Sequence, residues 1–421
     1  MSESDFDKNS SPVALRRAEK EPSMPFRPDL RVALLTGGQD RHYACGLAMA
    51  LVSAGVCLDV VGGDSEDGPE MHGNDGLHFF NLHGSHQKAS LTRRIERILA
   101  CYLRLTRYAW KAKPPIFHIL WNNKFQLFDR TLLMLYYRLL GKKIVLTAHN
   151  VNDGRRDAKD SLLNRLTLQF QYRLAHHIFV HTEKMKKELL EQFHVSKAAV
   201  TIIPYGINNA VPDTGLTYTE AKKQLGLRND EKTLLFFGAI KPYKGLEYLV
   251  AAFQTLAPVQ PDIRLIIAGE RKKGHEQYWS AIQQRIDTDP SRDRVTQKIG
   301  FIPDDETELY FKAADVAVLP YTEIFQSGIL FLAYSFGLPV IATDVGSFAE
   351  DIVEDKTGCI CKPRDPDALA AAIQNYFNGA LFRELEHRRQ EIREYTRSKH
   401  SWTVVGGITR HVYADLLAAR R

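Results

Sequence analysis

Short apolar runs rich in β-branched residues alternate along this chain with longer segments whose apolar residues recur every three or four positions. The short runs are typical of buried strands, and the longer segments are typical of helices with one apolar face. Parallel strands need a crossover connection, which is usually a helix, so this alternation predicts parallel sheets covered by helices. We therefore expect an α/β fold.

The predicted strands form two groups, which meet near the segment IPYGINNAVPDTG. In the first group they span 31–36, 58–62, 77–81, 116–121, 143–148, 177–181 and 200–204. In the second group they span 233–238, 263–269, 295–299, 316–320, 339–343 and 359–362. Helical patterns of the first half include 44–54, 127–140, 161–174 and 183–193. This arrangement predicts two doubly wound domains.

The chain length also favours two domains, because 421 residues exceed the size at which a single core stops growing, about 250–300 residues. We predict a disordered lead-in at 1–27, where the sequence is polar and interrupted by proline. The N-terminal domain is predicted at 28–207 and the C-terminal domain at 208–400. A final helix is predicted at 401–421, crossing back to the N-terminal domain.

The sequence gives no sign of export or of a membrane span. No apolar run approaches the roughly 18 residues that a span needs, and the N-terminus does not resemble a secretory signal. The five cysteines show no metal-binding spacing. We therefore expect a cytoplasmic protein with reduced cysteines.

Positive charge is concentrated between residues 87 and 113, where eight lysines and arginines accompany a single acid, Glu96. Apolar residues recur among them at helical spacing. The pattern is typical of a core helix with a basic solvent face. It also suits peripheral contact with an anionic surface, either the inner face of the plasma membrane or an anionic acceptor. No nucleic-acid-binding motif accompanies the charge, so we expect no nucleic-acid partner.

Two lysines follow a buried strand in FFGAIKPYKGLEYL, where the strand ends at Gly238 and a helix begins after Lys241 and Lys244. Ligands of open parallel sheets bind beyond the carboxyl ends of the strands, where helix N-termini favour anions. A phosphate or pyrophosphate suits this geometry best. Two solvated lysines in a surface turn are the alternative.

A second anion-binding helix start is predicted after the strand VAVLPY, where Gln326, Ser327 and Gly328 precede an apolar helix. Ser327 is a suitable N-cap, and Gly328 allows a ligand to approach the backbone closely.

These stretches resemble glycosyltransferase family 4, whose members have the GT-B fold. In the second half the similar segments are FFGAIKPYKGLEYL, LIIAGE, QSGILFLAYSFGLPVIATDVGSFAEDI and TGCICKPRDPDALAAAI. In the first half LLTGGQDRHYACGLAMAL resembles the family's glycine loop, and TAHN resembles its histidine loop. The resemblance implies two Rossmann-like domains facing across a cleft. It also implies retaining transfer of a sugar from a nucleotide-diphosphate sugar, with no metal and no cofactor beyond this donor.

The resemblance assigns the donor diphosphate to Lys244 and, second, to Lys241, with Gly238 in the same site. The family's other basic residue usually stands directly after the strand's glycine, where this chain has Ala239. We interpret Lys241 as a variant that shifts this charge within the turn.

The family's two glutamates are missing here, because their positions fall on Ile324 and Leu332. Glu323 lies one residue from the first position and can replace it, although an exposed loop glutamate is an equal alternative. Some bacterial members instead have a QSG-type loop, and by that resemblance the Ser327 and Gly328 amides, with Gln326, hold phosphate or sugar hydroxyls.

The first half supplies the remaining candidates. His149 in TAHN is placed by the resemblance close to the donor sugar, with a histidine that binds loop backbone as the alternative. Gly37 and Gly38 let the first loop lie against the diphosphate or the acceptor. Phe301 lies in the segment 300–302, where we expect nucleobase contacts.

We therefore expect a hexosyltransferase that moves a sugar to a glycan or lipid-linked acceptor, in the synthesis of a cell-surface or exported polysaccharide. The alternatives are a GT-B protein of another activity, such as a nucleotide-sugar epimerase or phosphorylase, and an inactive nucleotide-binding scaffold. The missing glutamates favour the last alternative.

Overall fold

The computed structural model describes residues 30–84, 90–152, 154, 160–207 and 211–419. Within them the chain forms two separate parallel sheets with helices packed against both faces. The predicted lead-in at 1–27 lies outside the described residues. No helix in the described ranges combines the length and the apolar character that crossing a bilayer requires.

The first sheet has seven parallel strands in the order β3-β2-β1-β4-β5-β6-β7. They are β1 Arg31–Leu35, β2 Cys57–Gly62, β3 Leu77–Asn81, β4 Ile116–Ile119, β5 Lys143–Thr147, β6 His177–Val180 and β7 Val200–Ile202. The second sheet repeats this order with six strands, β10-β9-β8-β11-β12-β13. They are β8 Lys232–Phe237, β9 Ile263–Gly269, β10 Val295–Ile299, β11 Val316–Leu319, β12 Val340–Thr343 and β13 Gly358–Cys361. Each predicted strand is confirmed to within two residues at either end.

The N-terminal half contributes α1 to α5, and α3 contains a π-helical turn. They are α1 Arg41–Ser53, α2 Leu91–Lys111, α3 (Gln126–Phe128, the π turn Asp129–Leu133 and Met134–Leu139), α4 Leu162–Leu174 and α5 Glu183–Gln192. The next helices are α6 Tyr218–Gln224, α7 Leu246–Leu256, α8 Glu276–Asp287, α9 Asp304–Ala313, α10 Gly328–Ser335 and α11 Phe348–Asp351. The last four are α12 Pro366–Asn378, α13 Ala380–Arg383, α14 Leu385–His400 and α15 Trp402–Ala418.

Both faces of each sheet are buried, which explains the unbroken apolar runs in the sequence. Every residue of β4, β6, β11 and β12 is buried, because helices cover the sheet on both sides. The strand order reverses between β1 and β4 and again between β8 and β11. A ligand crevice opens at such a reversal, beyond the carboxyl ends of the strands. The predicted site loops follow these strands.

The last helix packs on the first domain. The side chains of Val405, Val412 and Tyr413 belong to the same apolar cluster as α1 and the first sheet. Close approach depends on two glycines: a Cβ at Gly46 would lie 2.2 Å from the Trp402 ring, and one at Gly406 would lie 2.9 Å from the Ala50 Cβ. The α1–α15 contact therefore tolerates no added atom at these positions.

The neighbouring glycines Gly406 and Gly407 give a matched test of this packing. Gly406→Ala should lower the free energy of unfolding by about 1–3 kcal/mol, because the added methyl group meets Ala50. Gly407→Ala should raise it by up to about 1 kcal/mol, since no atom lies within 4 Å of its added Cβ and alanine favours the helix. Thermal melts of both variants measure the difference. A shift in the same direction for both would contradict the packing described.

Candidate active site

The turn that carries the two lysines is pressed against the end of β11. It begins at Gly238, whose φ is 111°, and continues through a 3₁₀ turn at Pro242–Lys244. Gly245 follows with a φ of 65°, and a Cβ there would lie 1.9 Å from the Pro320 carbonyl oxygen. Only glycine fits this position, so the backbone itself holds the turn close to the strand that precedes Gln326.

Lys244 is a buried residue. The residue is 8% exposed, and its Nζ donates a hydrogen bond of 2.6 Å to Tyr321 Oη. The same ammonium group lies 3.9 Å from the centre of the Tyr321 ring. Burial raises the pKa of Tyr321 well above its usual value, so the phenol is neutral and does not cancel the lysine's charge. Solvated lysines, the alternative left by the sequence, therefore do not describe Lys244.

Lys241 shares an aromatic neighbour with Lys244. The two ammonium groups lie 5.7 Å and 5.6 Å from the centre of the Tyr243 ring. Lys241 is only half-buried. The turn thus brings two cations to one edge of the second sheet.

The start of α10 lies next to this turn. Ser327 occupies the N-cap position, but its side chain does not cap the helix, contrary to the expectation from sequence. Its hydroxyl group instead lies 3.4 Å from Tyr321 Oη, the atom that also accepts from Lys244. Since Ser327 does not satisfy the first amides of α10, and Gly328 is exposed, this helix end can receive an anion.

Gln326 is held by a buried carboxylate. Asp351 Oδ2 accepts hydrogen bonds from Ser347 Oγ at 2.7 Å and from Gln326 Nε2 at 3.4 Å. Burial raises the pKa of Asp351 to about 6. Gln326 Oε1 is buried and has no hydrogen-bond partner among the described residues. Because Asp351 accepts from the amide nitrogen, the amide oxygen of Gln326 remains to accept a hydrogen bond from a ligand.

His149 is oriented by a second histidine. Burial lowers the pKa of both His149 and His181, to about 4 for His181, so both rings are neutral. His181 Nδ1 lies 3.1 Å from the Ile203 carbonyl oxygen and therefore carries the proton. His181 Nε2, 3.0 Å from His149 Nδ1, must then accept. His149 Nε2 consequently bears a lone pair, and it is buried with no partner among the described residues.

Aromatic rings fix the plane of His149. The ring stacks on Trp121, with centres 4.1 Å apart and planes 5° from parallel, and it meets the edge of Tyr43 at 4.5 Å. Trp121 also explains the glycine loop, because a Cβ at Gly37 would lie 2.5 Å from the Trp121 carbonyl oxygen. Gly38 follows, with its amide 3.3 Å from Thr36 Oγ1. The first loop therefore lies against the residue that supports His149.

Tyr205 joins the two halves of the site. Its hydroxyl group donates to Asp40 Oδ2 at 3.3 Å, and its ring lies 5.1 Å from His181. On its other side the ring stacks on Phe331 of α10, and a Cβ at Gly328 would lie 3.6 Å from its hydroxyl oxygen. The histidine pair and the start of α10 thus contact one common side chain.

A carboxylate from one domain also caps a helix of the other. Glu350 accepts hydrogen bonds from the backbone amides of Glu183 and Lys184, at 3.1 Å and 3.3 Å, at the start of α5. Lys184 Nζ in turn donates to the Gly346 carbonyl oxygen at 3.4 Å. These contacts hold the two domains together beside the Gln326 loop.

The predicted site residues therefore form two groups. Gly238, Lys241, Lys244 and the 326–328 loop line the second domain, while Gly37, Gly38 and His149 line the first. None of the contacts found in the described ranges joins Glu323 or Phe301 to either group. Phe301 is 74% exposed beyond β10.

The positions expected to hold glutamates carry no acid. Leu332 is 5% exposed in the apolar core, and Ile324 packs against the same cluster. Among the described residues no three His, Cys, Asp or Glu side chains are placed to hold one metal ion.

Two family models match this chain, one in each domain. The sequence model of Glycosyltransferase Family 4 matches residues 36–211, and that of Glycosyl transferases group 1 matches residues 217–399. The chain is a glycosyltransferase family 4-like protein.

Relatives of this family 4-like chain are distant in sequence. It is 28% identical to an uncharacterized glycosyltransferase of Methanocaldococcus jannaschii over 55% of the chain and 58% of that protein. It is 33% identical to the lipopolysaccharide core biosynthesis mannosyltransferase LpsB of Rhizobium meliloti over 42% of the chain and 50% of that protein. The chain thus spans about half the length of these curated relatives.

The fold of this chain matches that of a solved structure over nearly its whole length. HepE of Anabaena, solved in complex with UDP-glucose, superposes with a TM-score of 0.70 over 92% of this chain and 99% of HepE. The identity is 14%, so this likeness concerns the fold alone. It confirms the predicted GT-B architecture.

Tyr321→Phe should weaken the binding of a nucleoside diphosphate by about tenfold. The change removes the hydroxyl group that accepts from Lys244, and a hydrogen bond to a charged group contributes about 1.5–3 kcal/mol. Calorimetry with the nucleoside diphosphate that most stabilises the parent gives the dissociation constants. Tyr334→Phe is the matched control, since its buried hydroxyl binds Thr357 outside the site. Equal affinity in the Tyr321 variant and the parent would contradict this role.

Relative to the parent, the variant Asp351→Asn should become more stable as the pH rises from about 4 to about 7. The folded-state pKa of Asp351, about 6, lies above its ordinary value of 3.8, so folding binds a proton and the parent loses stability across this interval. About two pKa units correspond to roughly 3 kcal/mol, which asparagine does not lose. Melting temperatures across the pH range test this. The exposed control Asp293→Asn should run parallel to the parent, and a pH-independent effect of Asp351→Asn would contradict the prediction.

Proposed function

We propose that this chain is a retaining, metal-independent hexosyltransferase. It transfers a sugar from a nucleotide-diphosphate sugar to a glycan or lipid-linked acceptor in the synthesis of a cell-surface polysaccharide. The observation that carries the proposal is a chain of contacts between the two domains. Tyr321 links Lys244 to Ser327 at the start of α10, and Tyr205 lies between Gly328 and His149. HepE, which has the same fold, is described in complex with UDP-glucose, and LpsB is a lipopolysaccharide core mannosyltransferase.

The second domain stabilises the leaving group in this proposal. When the bond between the anomeric carbon and the diphosphate oxygen breaks, its electron pair passes to the diphosphate. Lys244, Lys241 and the first amides of α10 are fixed before the reaction, so they stabilise this charge without reorganisation. Two lysines and a helix end supply the positive charge that a metal ion provides in other phosphate sites.

The first domain contacts the donor sugar. His149 Nε2 is a neutral acceptor whose orientation is set through His181, so it can accept a hydrogen bond from a sugar hydroxyl. Gln326 Oε1 offers a second acceptor from the opposite domain. We propose that these two neutral groups replace the family's sugar-binding glutamate, with Asp351 orienting Gln326.

The acceptor needs no separate protein base. A bond forms between the acceptor oxygen and the anomeric carbon on the face that the diphosphate leaves, and the acceptor proton passes to a diphosphate oxygen. Tyr205 and the contact between Glu350 and α5 hold the domains together around this step. Closure of this kind excludes water, which would otherwise hydrolyse the donor.

The buried Leu332 favours a second candidate, an inactive nucleotide-binding scaffold, because neither it nor Ile324 supplies the carboxylate that the family usually has at these positions. The two functions differ in turnover. A transferase releases nucleoside diphosphate faster when the acceptor is present, whereas a scaffold binds the nucleotide and leaves the donor intact.

A panel of nucleotide-diphosphate sugars tests the donor. A ligand at about 100 times its dissociation constant should stabilise the protein by about 2.7 kcal/mol, and a thermal-shift assay detects this. No stabilisation by any member of the panel would contradict nucleotide-sugar binding.

Lys244→Met should lower kcat/KM by about 100- to 1000-fold, the loss expected when one fixed donor to a developing anion is removed. Methionine keeps the buried volume, so the melting temperature should change little. Lys312→Met is the matched control, because Lys312 is also buried but pairs with Glu308 away from the cleft. The control should melt earlier and keep the parent's KM. Full activity in the Lys244 variant would refute the placement of the diphosphate.

A further inference from the structure

The exposed apolar side chains of the described residues are concentrated on one side of the N-terminal domain. Fifteen large apolar side chains are exposed, and all except Val259 and Phe301 lie between residues 95 and 170. Four lie on α2, five between residues 125 and 139 on and beside α3, and four on α4. We call this surface the α2–α4 face. Patches on soluble monomers rarely exceed a few hundred Å², so thirteen such side chains together indicate a binding surface.

Helix α2 has a second apolar stripe in addition to the one that faces the core. Leu105 and Ala109 are buried in the core of the first domain. Leu99, Leu103 and Trp110 are 60%, 71% and 72% exposed. At about 100° per residue, these three lie about 120–160° around the helix from Leu105. Core packing therefore does not account for them.

The three helices form one continuous surface. Tyr136 Oη of α3 donates to the Thr106 carbonyl oxygen of α2 at 3.1 Å, and Arg138 Nη1 donates to the Leu174 carbonyl oxygen of α4 at 3.5 Å. At the other end of α3 the Tyr102 and Phe125 rings stack at 5.6 Å. These contacts place the exposed residues of all three helices in one layer.

The helices that form this face are rich in basic residues. Helices α2, α3 and α4 together contain 10 lysines and arginines and 2 acids, a net charge of +8, whereas the whole chain has +6. The rest of the chain therefore has a net charge of −2. On α2, Arg104 and Arg107 are exposed and have no carboxylate partner among the described residues. A face that is both apolar and basic matches an apolar partner with an anionic surface.

We propose that the α2–α4 face binds the surface of an anionic phospholipid bilayer. The leucines and Trp110 enter the interfacial region, and the arginines contact lipid phosphates while their alkyl stems lie along the apolar layer. A second copy of the chain fits less well, because two-fold pairing would place two strongly positive faces against each other. Binding to the bilayer does not depend on the transfer reaction.

The position of this face has a consequence for the acceptor, which rests on the proposed function. Gln126 and Arg130 of α3 and Gln171 of α4 line a cavity that they share with His149. Phe125 and Leu127, both 50% exposed, flank Gln126 on the α2–α4 face. A lipid-linked acceptor held in the bilayer would therefore enter the cleft beside α3.

Co-sedimentation of the full chain with vesicles tests the proposal. Vesicles of phosphatidylcholine alone are compared with vesicles that contain an equal share of phosphatidylglycerol. The parent should sediment with the anionic vesicles, and high salt should release much of it. Leu99→Asp/Leu103→Asp should abolish the binding. Arg104→Glu/Arg107→Glu should reduce the partition coefficient by at least about 25-fold, because each of the two basic residues near the surface contributes about fivefold.

Val259→Asp is the matched control, since Val259 is an exposed apolar residue, 70% exposed, in the C-terminal domain. It should sediment as the parent does, and all variants should keep the parent's melting temperature because the changed residues are exposed. A parent that stays in the supernatant with anionic vesicles would overturn the proposal. The proposal would also fail if the parent were a dimer that Leu99→Asp/Leu103→Asp converts to monomers. It would fail as well if an acidic protein bound this face and vesicles did not. None of these readouts requires donor turnover, so failure here leaves the transferase assignment in place.

Discussion

All strands of each sheet run parallel, so their carboxyl ends meet along a single edge, and the chemistry of this protein depends on that constraint. The loops after β1, β4 and β5 bring Gly37, Trp121 and His149 together in one domain. The loops after β8 and β11 bring Lys244 and Tyr321 together in the other. Residues far apart in sequence become neighbours because every connection returns to the opposite edge before the next strand begins.

Sequence patterns predicted the fold well, because strands buried on both faces must be apolar throughout. The location of Lys244 could also be predicted, since a lysine between the end of a parallel strand and the start of the next helix lies at the carboxyl edge of the sheet. Tyr321 could not be found in this way. It lies 77 residues from Lys244, and only the order of the strands brings its hydroxyl group to that lysine. The Ser327 cap was wrong for a local reason: its hydroxyl group lies against Tyr321 Oη, six residues earlier, and not against the first amides of the helix.

His181 shows a different limit of sequence reasoning. No local pattern in the sequence indicated its contact with His149. The contact arises because β5 and β6 are adjacent, which places the residues that follow them side by side. The tautomer of His149 then depends on a carbonyl group of Ile203, beyond β7. Such a chain of hydrogen bonds spans three strands and leaves no periodic signal in the sequence.

The polypeptide passes between the domains twice, and both passages lie at the same place. Trp402 Nε1 donates to the Ile207 carbonyl oxygen at 2.7 Å, and the Ile207 amide donates to the His400 carbonyl oxygen at 3.1 Å. Two chain segments bound to each other in this manner join the domains at a single place. A rotation of one lobe against the other would therefore pivot at this pair of segments, and a contact farther from them would be displaced more by such a rotation.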